Sequence, residues 1–177
     1  MTDITYSRAK TNDVEAFFSF FKSSIRDLFS EYTVMTREFF VEKDYTKSWM
    51  KKAIQKGDKI LFIAKNNDEH AGYLFVNKIY GGVSMASWLA VSPKFQKLGI
   101  ATQLVKMWED YCLKHNAHAL QLWTTNHNLE FYEKRGFVNA GTFNQGWFGV
   151  DMPLMCKSLR PADEKNYLHK YLASKAK

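Results

Sequence analysis

The chain of 177 residues has few cysteines and no long apolar run. Its two cysteines, Cys112 and Cys156, stand far apart, so the sequence offers neither a disulfide framework nor metal-ligand spacing. Two isolated thiols fit a reducing, cytoplasmic location. No apolar stretch approaches the length of a transmembrane helix, and the polar first residues lack the apolar centre of a signal peptide. We therefore expect a cytoplasmic protein with no membrane partner and no bound metal ion.

A dense basic block is also absent, although the formal net charge is +7. A basic surface can serve nucleic acid, a membrane or an anionic cofactor. The lysines are scattered along the chain and are not interleaved with aromatic residues in one short segment. This distribution is typical of a solvated surface. Nucleic-acid binding is the weaker interpretation, and we expect no nucleic-acid partner.

The apolar periodicity and the turn residues predict a mixed α/β layout around one central sheet. The predicted order is strand, two helices, antiparallel meander, helix, strand, helix and hairpin. No repeat or linker interrupts it, and the length suits one domain. Residues 31–44 show no regular period. The predicted strands are 4–8, 59–65, 71–80, 83–91, 119–123, 137–142 and 149–158, and the predicted helices are 14–29, 46–56, 99–115, 129–135 and 161–177.

The stretch from Trp88 to Glu109 carries the first chemical signal, because it predicts a strand, a short loop and an amphipathic helix. A helix start exposes backbone N–H groups and the positive end of the helix dipole, which together attract anions. Gly99 and Ala101 are small enough to let a phosphate approach that backbone. The loop has no Gly-Lys-Ser/Thr ending, so it is not a Walker P-loop. Its position after a meander also excludes a Rossmann fingerprint.

A second segment, NHNLEFYEKRGF from Asn126 to Phe137, predicts a short helix opened by asparagines and ended by Gly136. Together with LAVSPKFQKLGIA, Leu89 to Ala101, it resembles the GNAT superfamily of N-acetyltransferases. The element order agrees over residues 4–158. The resemblance implies an α/β fold with a mostly antiparallel mixed sheet of about six to seven strands flanked by helices. It further implies one N-acetyltransferase domain over residues 1–160, with residues 161–177 as a C-terminal helical extension.

The resemblance implies acetyl-CoA as the acyl donor and assigns residues to each part of it. The pantetheine arm pairs with the strand end, and the N–H of its last residue is a candidate donor to the thioester oxygen as negative charge develops there. The pyrophosphate is held by the loop and the helix start. The implied pantetheine residues are Leu89, Ala90 and Val91, and the implied pyrophosphate residues are Gln96, Lys97, Leu98, Gly99, Ile100, Ala101 and Thr102.

Tyr132 matches the tyrosine that protonates the departing thiolate in this family, which makes it the predicted catalytic residue. Many members carry an asparagine seven residues earlier, where this chain has Thr125. Asn126 or Asn128 is then the residue that contacts the coenzyme. Some members place a glutamate base where this chain has Gln121, which cannot accept a proton. His127, His118 or a chain of water molecules remain as candidates for the base.

Each motif also has a plain structural interpretation. The loop alone could be a simple turn between strand and helix, Tyr132 a core anchor, and the asparagines helix caps. The two motifs in this order favour an enzyme that transfers an acetyl group to a primary amine of a small molecule or a protein. The alternative is a non-catalytic acyl-CoA-binding module of the same fold, which Gln121 motivates. We expect residues 24–47 and 141–149 to shape the acceptor pocket. We also expect the protein to be a monomer or a homodimer.

Overall fold

The computed structural model describes residues 3–175. The described residues form seven strands and six α-helices. The strands are β1 (Ile4–Arg8), β2 (Lys59–Asn66), β3 (Glu69–Asn77), β4 (Val83–Val91), β5 (Ala119–Trp123), β6 (Val138–Phe143) and β7 (Met152–Ser158). The helices are α1 (Val14–Leu28), α2 (Val34–Phe39), α3 (Lys47–Gln55), α4 (Ile100–Lys114), α5 (Leu129–Glu133) and α6 (Glu164–Lys175). The last two residues of the predicted C-terminal helix lie outside the described residues.

The seven strands hydrogen-bond in the order β1-β2-β3-β4-β5-β7-β6. β4 and β5 run parallel, with Val83 opposite Ala119 and Ala86 opposite Leu122. β1 pairs with β2, β5 with β7 and β6 with β7, all antiparallel. The sheet is therefore mixed and mostly antiparallel, and the predicted fold class is confirmed.

The residues group into two compact units, each built from separated segments of the chain. The first unit holds the chain up to Val76 together with Trp88–Val105. The second holds Asn77–Ser87 and the chain from Lys106 onward. The prediction of one domain over residues 1–160 stays a prediction.

In the first unit, α1 packs its apolar face against β3. Phe17, Phe21 and Ile25 are fully buried on that face, at the three- and four-residue spacing of a helix stripe. The ring of Tyr73 lies edge-on to Phe17 at 5.1 Å, and its hydroxyl hydrogen-bonds Ser24 at 2.8 Å. This bond satisfies two polar atoms that burial would otherwise penalise.

In the second unit, Trp108 of α4 is the largest fully buried side chain. Its indole N–H donates to the hydroxyl of Ser84 at 2.9 Å, and Ser84 donates to the Asn77 carbonyl at 3.2 Å. Phe137 stacks on Trp108 at 6.2 Å. The indole is thus fixed at both its polar atom and its face.

Residues 31–44 are more ordered than their sequence predicts, because they contain α2 and a π-helical turn at Phe40–Asp44. The hydroxyl of Thr33 caps α2 by accepting from the N–H of Thr36 at 3.2 Å. Phe40 is buried against Tyr32 and Trp88, at 5.1 and 5.3 Å between ring centres. Tertiary packing therefore supplies the stability that the local sequence lacks.

No α-helix of the described residues combines the length and the apolar character needed to cross a membrane. Nor do the described residues bring three or more His, Cys, Asp or Glu side chains together as a metal site.

Candidate functional site

The segment after β4 turns sharply before α4 begins. Pro93–Phe95 forms a 3-10 turn, and Phe95 is buried and anchors it. The side-chain amide of Gln96 reaches back and donates to the carbonyl of Val91 at 3.4 Å. Gln96 therefore holds the turn against the end of β4, in addition to its predicted place in the loop.

Two residues of the loop adopt the left-handed backbone conformation, Lys97 with φ +64° and Gly99 with φ +78°. A Cβ built at Gly99 would meet no atom within 4 Å, so the space over this peptide is open. Gln103 donates its N–H to the Gly99 carbonyl at 3.0 Å. The N–H groups of Ile100 and Ala101 precede that bond and belong to the helix start, where no intrahelical acceptor exists.

One side chain at the end of this loop is buried, and several of its neighbours are exposed. Ile100 is buried and fixes the start of α4, whereas Lys97, Leu98 and Thr102 are exposed. The predicted pyrophosphate residues are consecutive across the loop and the first turn of α4, with open space beside Gly99. This arrangement fits an anion bound by backbone N–H groups.

Gly72 of β3 is a residue that sequence reasoning missed. A Cβ at this position would lie 3.0 Å from the carbonyl oxygen of Ala90, 3.1 Å from Ile100 Cγ2 and 3.2 Å from Val91 Cγ2. All three neighbours were predicted to bind the coenzyme. A Cβ at this position would press on all three neighbours, so the glycine allows β3 to pass close to the β4 end and the α4 start.

In the second unit, the short turn at Asn126–Asn128 leads into α5. Thr125 is buried, and its hydroxyl accepts from the side-chain amide of Asn128 at 3.2 Å and lies 3.1 Å from Nδ1 of His127. Asn126 is exposed. The structure therefore brings Asn128, His127 and Thr125 into one local cluster.

Tyr132 lies on α5 and is 8% exposed. Its ring packs edge-on against Phe131 at 4.9 Å and against Phe137 at 5.6 Å. Burial raises the pKa of Tyr132, and the nearby Arg135 opposes that shift only in part. The phenol therefore holds its proton more tightly than an exposed tyrosine does.

The candidate bases lie in different surroundings. Gln121 is in the middle of β5, paired with Met85 of β4 and Cys156 of β7. The backbone of His118 is held in the sheet, since its N–H donates to Gly82 and its carbonyl accepts from Leu159, both at 2.8 Å. His127 is exposed and held by Thr125.

A cavity of about 490 Å³ opens in the first unit, in the size range of small-molecule sites. One face of α1, the β2–β3 turn and the residues after β4 form its walls. Carboxylates of Asp27 and Asp68 line it, as does the imidazole of His70, which stacks on Phe20 at 5.7 Å. Burial lowers the pKa of His70, so the ring is neutral at pH 7. The cavity therefore presents acidic side chains beside a neutral imidazole.

Comparison with known proteins adds independent findings. The sequence model of the Acetyltransferase (GNAT) family matches residues 23–137. The uncharacterized N-acetyltransferase YhfO of Bacillus subtilis (strain 168) is 26% identical over 141 residues, which cover 73% of this chain and 87% of that protein.

Solved structures share the fold. The PaiA N-acetyltransferase from Thermoplasma acidophilum, in complex with coenzyme A, matches with a TM-score of 0.75 and 19% identity, over 88% of this chain and 99% of that one. The ribosomal-protein-S18-alanine N-acetyltransferase from Escherichia coli matches with a TM-score of 0.68 and 18% identity, over 92% of this chain and 97% of that one.

Proposed function

Because the chain belongs to the acetyltransferase (GNAT) family, we propose that it transfers the acetyl group of acetyl-CoA directly to a primary amine of a small molecule or a protein. The observation that carries this proposal is the loop at Lys97 and Gly99, with its two left-handed residues and open space before α4. Such a loop aligns successive N–H groups toward an anion.

The pyrophosphate would be held by the backbone of Gln96, Lys97, Leu98, Gly99, Ile100, Ala101 and Thr102. The overall charge of +7 supports attraction of this anionic donor. Buried Ile100 keeps the turn in place. Since these contacts come from the main chain, the loop tolerates varied side chains but depends on its backbone conformation.

The pantetheine arm would pair with Leu89, Ala90 and Val91. Gln96 and Gly72 support this assignment, since one bonds the Val91 carbonyl and the other approaches Ala90 closely. The N–H of Val91 would donate to the thioester oxygen as negative charge develops there. The N–H of Val91 can stabilise this charge only if it already points at the thioester oxygen before the reaction, so the end of β4 must be held in place.

Tyr132 would donate the proton that the departing thiolate takes up. Its position on α5, within the second motif, supports this role. Asn126 and Asn128 are both exposed, and Asn128 already donates to Thr125, which favours Asn126 for the contact with the coenzyme.

The acceptor amine must lose a proton before it attacks, and Gln121 cannot accept it. His127 is engaged locally with Thr125, which favours water as the proton carrier. The acid-lined cavity supports a small cationic amine as the acceptor, because Asp27 and Asp68 would attract an ammonium group.

A calorimetric titration with acetyl-CoA, followed by release of free thiol on incubation with n-butylamine and with a short peptide, tests the proposal. We expect micromolar binding and thiol release that depends on the amine. Binding without thiol release would support the alternative, a non-catalytic acyl-CoA-binding module. Absence of both would overturn the proposal.

A further inference from the structure

Lys157 of β7 holds a partly buried ammonium group in the second unit. Its side chain is 21% exposed, and that of its partner Glu109 on α4 is 16% exposed. Nζ donates to the carboxylate of Glu109 at 2.6 Å and to the backbone carbonyl of Arg135 at 2.7 Å. One cation therefore joins a helix, a strand and the chain just after α5.

The Arg135 carbonyl lies where α5 ends. Helix ends leave carbonyl groups without intrahelical donors and carry partial negative charge, so an ammonium group is favourable there. The N–H groups of Arg135 and Phe137 both donate to the carbonyl of Tyr132, at 2.9 and 3.2 Å. The peptide of Tyr132 thus belongs to the same turn that Lys157 caps.

The aromatic contacts lead to the same tyrosine. Nζ of Lys157 lies 5.7 Å from the ring centre of Phe137, and Phe137 packs edge-on against Tyr132 at 5.6 Å. Gly136 ends the turn with φ +79°. Lys157 consequently fixes both the backbone that carries Tyr132 and the ring against which its phenol rests.

We propose that Lys157, held by Glu109, is a positioning residue that fixes the phenol of Tyr132 for proton donation. This inference rests on the proposed function. Glu109 balances the positive charge of the ammonium group, which also donates a hydrogen bond to the carbonyl at the end of α5. An error of about 1 Å in the position of a reacting group can lower a rate about a hundredfold. Loss of the cap should therefore reduce turnover without affecting binding of the donor.

The test is a double-mutant cycle between Lys157→Met and Tyr132→Phe. In the natural protein, we expect Lys157→Met to lower kcat about tenfold while KM for acetyl-CoA stays within about twofold. In the Tyr132→Phe background it should cause no further loss, because the phenol that it positions is gone. Lys157→Arg, which keeps a cation, should restore part of kcat.

Lys134→Met is the matched control. Lys134 forms an exposed ion pair with Glu130 at 2.6 Å, so its loss removes a lysine near α5 without touching the cap. We expect its kcat to match that of the natural protein. If Lys157→Met does not fold, Glu109→Gln in the same cycle provides a milder loosening of the ammonium group and the same expectation.

Three results would overturn the inference. The first is an unchanged kcat in a folded Lys157→Met protein. The second is an equal loss in both backgrounds, which would show an effect unrelated to Tyr132. The third is Tyr132→Phe with full turnover, which would refute the proton-donor role as well. Loss of kcat with Tyr132→Phe but not with Lys157→Met would refute the positioning role alone.

Discussion

Tyr132 is the residue on which the chemistry depends most directly. We expect Tyr132→Phe to lower turnover at least about tenfold, because the proton donor to the thiolate is lost. The Kd for acetyl-CoA should stay within about twofold, since the ring and its contacts with Phe131 and Phe137 remain. Steady-state kinetics and calorimetry measure the two effects separately.

Tyr80→Phe is a suitable control for this substitution, because Tyr80 is 78% exposed and has no proposed role. Its turnover should equal that of the natural protein. An equal turnover in Tyr132→Phe would instead show that the thiolate leaves without help from this phenol.

At the residue scale, the sequence marks Gly99 only as a small residue at the start of a helix. The structure adds that this glycine has the left-handed backbone conformation. Lys97 adopts nearly the same conformation, which a lysine does not signal. Gly72 and Lys157 depend on neighbours far along the chain, such as Glu109, 48 residues before Lys157. Only the folded chain shows such pairs.

At the scale of elements, the loop before α4 can be tested apart from the stability of the protein. Gly99 and Gly57 both have positive φ, +78° and +71°, and an added Cβ would meet no atom within 4 Å at either position. Alanine should therefore cost a similar backbone strain of about 1–2 kcal/mol in each case. We expect only Gly99→Ala to weaken acetyl-CoA binding, by about tenfold or more.

Urea unfolding and calorimetric titration of the two variants give this comparison. Gly57 ends α3, and its substitution controls for general loss of stability. Equal affinities for acetyl-CoA in both variants would mean that the conformation at Gly99 does not matter for the coenzyme.

The first and last residues of an element can be predicted from sequence where turn-forming glycines or a proline flank it. β4 occupies Val83–Val91 as predicted, because the Gly81-Gly82 turn precedes it and Pro93 follows it. α2 carries no such pattern. It depends on its Thr33 cap and on Arg26, which donates to Glu38 at 2.7 Å from a different helix. Contacts of that kind cannot be predicted from periodicity.

For the whole molecule, buried phenols and a thiol predict loss of stability at alkaline pH. Burial raises the pKa of Tyr32 and of Cys112 to about 12, from ordinary values of 10.0 and 9.0, and raises those of Tyr73 and Tyr132 as well. The folded state therefore keeps protons that the unfolded chain loses. Stability should be complete below about pH 9 and should decrease as pH rises toward 12.

Urea unfolding at pH 8, 10 and 11 measures this decrease. Each of these groups lowers the free energy of unfolding by about 1.4 kcal/mol per pH unit, over the pH range in which it is deprotonated only in the unfolded chain. Cys112→Ala should reduce the decrease between pH 9 and 10. A free energy of unfolding that is constant from pH 8 to 11 would contradict the expected burial.

The sequence was informative about the donor and silent about the acceptor for a structural reason. The residues predicted to hold the pantetheine arm and the pyrophosphate lie within Leu89 to Thr102, so one stretch of sequence contains them. The cavity draws its walls from one face of α1, from the turn at Asp68 and from Pro93. No local pattern marks residues that meet only after folding.

The division of the chain into interleaved segments has a consequence for its synthesis. The unit that contains β1 also requires Trp88–Val105, so its packing cannot be completed until the ribosome has released the chain beyond Val105. Val83–Ala86 emerges earlier but gains its parallel partner only when Ala119–Leu122 follows. During synthesis, Val83–Ala86 therefore remains without its parallel partner while more than thirty further residues are added. This takes roughly two to seven seconds at ordinary translation rates.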